Sequence, residues 1–200
     1  MGRPFRGTRA GVRVQLPIEE REVLARFLAD VAGLLAEPEP EPEPGVTDPP
    51  VGAAGAAAGG DDPFAALEAA VRVTPPRDPA VLRLLPDGSR DDPEVAQSFR
   101  RLTEPTLRER KTAALELAGR ALVRADPVVL DAAEAQALLK GLTDVRLVIA
   151  ERLGLRTDED VERLHAALAS GSDHAEAARA AAVYDALSWW QESLVTALRR

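Results

Sequence analysis

The chain of 200 residues has no cysteine, two histidines and a single methionine at position 1. No disulfide, thiolate nucleophile or thiol redox switch can therefore be built from it. Aromatic residues supply 4% of the sequence, and only Lys111 and Lys140 are lysines among 25 basic residues. No apolar run approaches the roughly 20 residues needed to span a bilayer, so no membrane partner is expected. Arg3, Arg6, Arg9 and Arg13 are followed by no apolar stretch of signal-peptide type, which makes the cytoplasm the expected compartment.

Catalytic signatures are equally scarce. No G-x-S-x-G, Walker loop, G-x-G-x-x-G, H-E-x-x-H or cysteine–histidine constellation occurs. His165 and His174 are nine residues apart across a Gly-Ser break, a spacing that suits no metal, so no metal or other cofactor is expected. The carboxylate pairs, Asp91/Asp92 and Asp158-Glu159-Asp160, adjoin one another at expected helix starts. Neighbours on a helix do not face each other, so capping explains them better than acid–base work. The expectation is a protein that is not an enzyme.

What is present is alanine, leucine and helical periodicity. Apolar residues make up 46% of the chain, and the net charge is −8. Seven carboxylates and no lysine or arginine fall within 37–62, so the rest carries only −1. That segment reads EPEPEPEP and then a Gly/Ala run, a composition that favours extended, solvated chain. It divides the sequence into an N-terminal piece, 1–36, a disordered linker, 37–62, and a helical domain, 63–200, on which the first piece is expected to pack.

Alternation of Val12 and Val14 with Arg13 and Gln15 admits one short strand within 11–16. Pro17 then opens a helix over 17–36, whose stripe is Ile18, Val23, Leu24, Phe27, Leu28, Val31, Leu34 and Leu35. Phe64, Leu67, Ala70 and Val71 carry a brief helical pattern, and Asp78-Pro79 begins another short helix ended at Pro86-Asp87-Gly88. Asp92-Pro93 starts a helix with Val95, Phe99 and Leu102 on its apolar side. Thr103 caps the next, 104–124, with Leu107, Ala114, Leu115, Ala118 and Leu122 inside. Asp131 and Glu134 form a capping box before Leu138, Leu142, Val145, Ile149 and Leu153, and Gly154 suits the left-handed C-cap. Thr157 and Asp160 cap a further helix, and the last covers 174–199 with Val183, Leu187, Trp190, Leu194 and Ala197 as its stripe. Mutual packing of these stripes predicts a mainly all-α fold, a compact multi-helix bundle.

Three groups of residues could contact a partner. Arg146 and Arg152 edge toward the apolar stripe of their helix, where an interhelical ion pair is expected and partner binding is the alternative. Trp189 and Trp190 point about 100° apart, so a core Trp190 sends Trp189 toward a flank, where burial within the bundle is one reading and contact with a partner, together with Gln191 and Glu192, the other. Arg100, Arg101, Arg108, Arg110 and Lys111 compose a basic patch for phosphates or an acidic protein. No aromatics interleave it, so DNA contact is expected to be weak.

The segments FRRLTEPTLRERK (99–111), LTDVRLVIAERLGL (142–155) and YDALSWWQESLVTAL (184–198), in this order after an acidic insert, resemble an actinobacterial family of AosR-like oxidative-stress regulators, formerly a domain-of-unknown-function family. The resemblance covers most of the chain outside 37–62. It implies a cytoplasmic, non-enzymatic regulator of transcription that acts through protein contacts with the transcription machinery. A direct DNA-binding regulator and an adaptor in a proteolytic or other complex are the alternatives. The chain departs from the family pattern at Thr143, where asparagine is expected, and its lack of cysteine means either that oxidant sensing lies in a partner or that this member has lost it.

Overall fold

The computed structural model describes residues 3–36, 76–89, 91–169 and 175–199. The linker expected at 37–62 and the short helical pattern at 64–73 lie outside them. Among the described residues the fold is mainly α-helical, with six helices and one small sheet. Strands β1 (Phe5–Thr8) and β2 (Gly11–Val14) form a hairpin, and helix α1 spans Ile18–Ala36. Helices α2 (Pro79–Leu84) and α3 (Pro93–Leu122) lead to strand β3 (Val129–Leu130). Helices α4 (Ala132–Arg152), α5 (Asp158–Ala169) and α6 (Ala175–Leu198) complete the chain.

The single expected strand has two partners. β2 pairs antiparallel with β1 and with β3, giving the order β1-β2-β3. Phe5, Val12, Val14 and Leu16 point to the core, whereas Arg6 and Arg13 face solvent, as period-2 alternation demands. Gly11 has φ +129, and a β-carbon there would lie 2.1 Å from the Leu130 carbonyl oxygen, so the hairpin needs glycine at this position. Ser193 of α6 anchors β1: its hydroxyl accepts from the Phe5 amide at 3.2 Å and donates to the Phe5 carbonyl at 3.5 Å.

One core joins the hairpin, α1, α2, α3, α4 and α6, so the N-terminal piece is an integral wall of the bundle. On α1 the buried positions are Arg21, Leu24, Leu28, Val31, Ala32 and Leu35, while Ile18 and Val23 are exposed. The stripe is thus rotated from the expected one and includes an arginine. Arg21 is 2% exposed and donates to the carbonyls of Leu122 and Arg124 at 3.0 and 3.1 Å and to both carboxylate oxygens of Asp126. It satisfies carbonyls at the negative end of α3, where a cation is favoured. Gly141 of α4 faces α1 so closely that a β-carbon would meet Leu28 Cδ2 at 2.6 Å.

The helix boundary expected at Thr103 is absent. α3 runs for 30 residues through Pro105, because the Thr103 hydroxyl donates to the Phe99 carbonyl at 2.8 Å and caps nothing. Glu104 accepts from Arg100 one turn before and Arg108 one turn after, at 2.6 and 2.8 Å, so side chains splint the helix across the proline, which itself is exposed. The remaining caps follow the sequence. Asp131 and Glu134 close a reciprocal capping box, and Gly154 has φ +68 at the end of α4.

Candidate surface between helices α4 and α6

Trp190, Leu187, Leu194 and Ala197 face the core, so one turn of helix geometry decides what the other positions of α6 do. Taking about 100° per residue, Trp189, Thr196, Glu192, Arg199, Ser188, Val195 and Gln191 follow one another around the outer face. All of these but Trp189 line, together with Arg146 of α4, a surface cavity of about 490 Å³. Trp189, 41% exposed, does not line it and lies at the far end of this arc from Gln191.

The cavity wall is a hydrogen-bonded chain between the two helices. Thr143 donates to the Leu139 carbonyl at 3.1 Å and accepts from Gln191 Nε2 at 2.9 Å. The oxygen of the same Gln191 amide accepts from Arg146 Nη1 at 2.6 Å. Arg146 Nη2 donates to the Tyr184 hydroxyl at 3.2 Å, and the guanidinium carbon lies 5.2 Å from the Tyr184 ring centroid. The Arg146 Nε–H is buried without an acceptor. The interhelical contact expected of this arginine exists, but its partners are neutral where an ion pair was anticipated. The Thr143 hydroxyl thereby orients Gln191.

Arg146, Gln191 and Glu192 thus come together at one cavity, and neither Trp189 nor Arg152 lines it. Arg152 reaches the opposite way, to α2, where both carboxylate oxygens of Asp78 accept from it at 3.0 and 2.6 Å. Its neighbour Glu151 accepts from Arg83 and Arg156 at 2.9 and 3.3 Å; the Arg83 hydrogen bond first, then both positive charges, hold its carboxyl below the usual range. Tyr184, Ser188, Val195, Thr196 and Arg199 were not foreseen as lining or supporting residues. Their spacing of three and four along α6 was the available signal.

The basic patch does not share a face. Arg100 is 4% exposed and paired with Glu104 and Asp87; burial opposes its charge, but those two carboxylates outweigh it and raise its pKa further. Arg108 is bound to Glu104 and to the Leu35 carbonyl, and Lys111 to the buried Asp144 at 2.6 Å. Arg101 and Arg110 point outward. The spacing 100, 104, 108, 111 belongs to the inner side of α3, which explains the separation.

Other titratable groups have structural employment. Asp92 accepts from the Glu94 and Val95 amides at the start of α3. Asp160 accepts from the Arg156 and Thr157 amides, which hold its carboxyl low. His165 meets Asp185 of α6 at 3.2 Å, and His174 is outside the described residues. Among the described residues no group of three or more histidines and carboxylates is arranged for a metal, and no helix is long and apolar enough to cross a membrane.

Fold and surface together define a mainly α-helical bundle with a small antiparallel sheet and a shallow cleft along its last helix, lined mostly by polar residue types. Residues 2–198 match the model of a family described as a domain of unknown function, DUF2017, and the chain belongs to that family. No curated protein and no solved structure matches the chain.

Proposed function

We propose that this protein is a non-enzymatic, cytoplasmic regulator of transcription in the response to oxidative stress, and that it acts by docking a component of the transcription machinery on the α4–α6 surface. The observations that carry the docking half are Trp189, a large aromatic side chain left 41% exposed on α6, and, on another side of the same helix, a cleft whose wall, Arg146 and Gln191, is already ordered. Exposed tryptophan and pre-positioned arginine are the residue types that dominate protein interfaces. The regulatory half rests on the likeness of 99–111, 142–155 and 184–198 to the AosR-like regulators.

Direct DNA binding has less support, because Arg100, Arg108 and Lys111 spend their charge on Glu104 and Asp144. The test is capture of RNA polymerase core and sigma subunits from the native host on the intact protein, quantified by mass spectrometry. Recovery of those subunits, reduced at least tenfold by Trp189→Ala, supports the reading. Equal recovery on the variant, or a mobility shift of promoter DNA by the purified protein alone at physiological salt, overturns it.

A further inference from the structure

Arg146 differs from the other cations that α1 and α3 turn inward. Arg21 meets Asp126, Arg100 and Arg108 meet Glu104, and Lys111 meets Asp144. The half-buried Arg146 has a neutral amide, a phenol and an aromatic face around it. A guanidinium carries five N–H donors; two of Arg146 are engaged, the Nε–H is sealed in, and two terminal donors remain at the cleft. A partly desolvated cation without a counter-charge is costly, and the cost is recovered when an anion arrives.

We propose that the α4–α6 cleft is a carboxylate-binding pocket for an acidic side chain of a protein partner, with Arg146 as its anchor. This rests on the docking surface proposed above and supplies its chemistry. Charge selects the ligand. The lining holds two cations, Arg146 and Arg199, and one carboxylate, Glu192, so a single negative charge neutralises it, whereas a doubly charged phosphate meets the repulsion of Glu192. The planar fork of Arg146 matches a carboxylate. Val195 within the cleft offers apolar contact to a neighbouring residue of a peptide, which a free acid would leave unused. Gln191, fixed by Thr143, keeps the guanidinium from collapsing into the cleft.

The experiment uses the full-length, ¹⁵N-labelled protein and three probes at constant ionic strength: a capped tri-glutamate peptide, its tri-glutamine analogue and inorganic phosphate. The Arg146 Nε–H and Gln191 side-chain amide resonances are followed by NMR. Saturable shifts of both with tri-glutamate, and none with the other two, are expected. Arg146→Gln weakens tri-glutamate binding by about ten- to a hundredfold, the worth of a charge-assisted hydrogen bond. Glu192→Gln, on the exposed side of the cleft, strengthens it by about two- to fivefold through relief of like charge. The exposed Glu192 and Arg199 keep the test decisive if Arg146→Gln does not fold, since Arg199→Gln is expected to weaken binding in the same way. Equal response to tri-glutamine or phosphate, or indifference of binding to both Glu192→Gln and Arg199→Gln, overturns the pocket. Loss of polymerase capture in Trp189→Ala together with no tri-glutamate binding leaves the docking reading standing and removes the carboxylate pocket. Tri-glutamate binding without polymerase capture does the reverse.

Discussion

From Leu115 to Leu122, helix α3 turns Leu115, Ala118, Ala121 and Leu122 inward, and all four are essentially dry. From Pro93 to Lys111 the same helix turns inward Arg100, Glu104, Arg108 and Lys111, and leaves Val95, Phe99 and Leu102 exposed, the last at 75%. The first half is fastened by burial, at about 1.5–3 kcal/mol per large apolar side chain. The second is fastened by buried charge pairs, which roughly break even against apolar replacements yet are expensive to break singly. Stability therefore resides in the C-terminal half of α3, and the N-terminal half contributes a fixed register, in which Arg108 reaches the Leu35 carbonyl of α1 while Lys111 reaches Asp144 of α4.

Leu115→Ala attacks the apolar half and carries the largest expected effect. Leu115 is 1% exposed and lies against Gly141 and the neighbourhood of Leu28, so removal of three methyl and methine carbons costs about 2–5 kcal/mol. The loss should appear in urea unfolding as a lower midpoint with an unchanged slope. Loss of protection confined to 93–111 would break the comparison. Glu104→Gln attacks the ionic half. Arg100 retains Asp87 and Arg108 retains the Leu35 carbonyl, so about 1–3 kcal/mol is expected, the usual cost of a buried donor losing its acceptor. Amide hydrogen exchange should quicken across 93–111 and stay slow across 115–122. A uniform rise over the whole helix would mean that the two halves are one unit.

The same contrast explains what the sequence disclosed. Helices α1, α4 and α6, built on leucine and alanine at three-to-four spacing, were legible within a residue or two, as were the capping box at Asp131 and the glycine C-cap at Gly154. Periodicity reports apolar burial. It is silent where charge is buried: Arg21 lies in the core because carbonyls at the end of α3, about 100 positions away, need a donor. Thr103 looked like a boundary since local rules weigh a capping hydroxyl, whereas the Arg100–Glu104–Arg108 ladder that carries the helix past it lies within α3 itself at i,i+4 spacing. β1 and β3 were hidden because a four-residue and a two-residue strand carry too few alternations to read. At the cleft, Arg146, Gln191 and Glu192 could be picked out as unusual on their own helices, but their convergence depends on how α4 crosses α6, and Trp189, picked out with them, does not line the cavity. Arg152 was drawn in on equal grounds and belongs elsewhere.

Helix α2 offers the finest test, because it joins both kinds of fastening. Ala80, Val81, Leu84 and Leu85 are buried, and outside them Asp78 caps the helix through the Ala80 amide at 2.8 Å while binding Arg152. Burial by itself would raise the Asp78 pKa; the Arg152 hydrogen bond, the Ala80 amide and the Arg152 charge together outweigh it and hold the carboxyl below its ordinary value. A group with a depressed folded-state pKa contributes stability that is fully present above the unfolded value, near pH 3.9 for aspartate, and is lost as pH falls through the folded value. Acid should therefore loosen the first turn of α2 only below about pH 4, with NMR shifts of the Ala80 and Val81 amides titrating at a midpoint under the usual aspartate value. Asp78→Asn retains a capping oxygen and gives up the ion pair with a half-exposed Arg152, so a change of at most about 1 kcal/mol at pH 7 is expected, along with loss of the acid-dependent shifts. Because the four apolar residues carry the attachment, α2 should remain docked in the variant. Its release from α4 would show that the ion pair, and not the burial beneath it, fastens this helix, and would extend the ionic regime of the N-terminal half of α3 to α2.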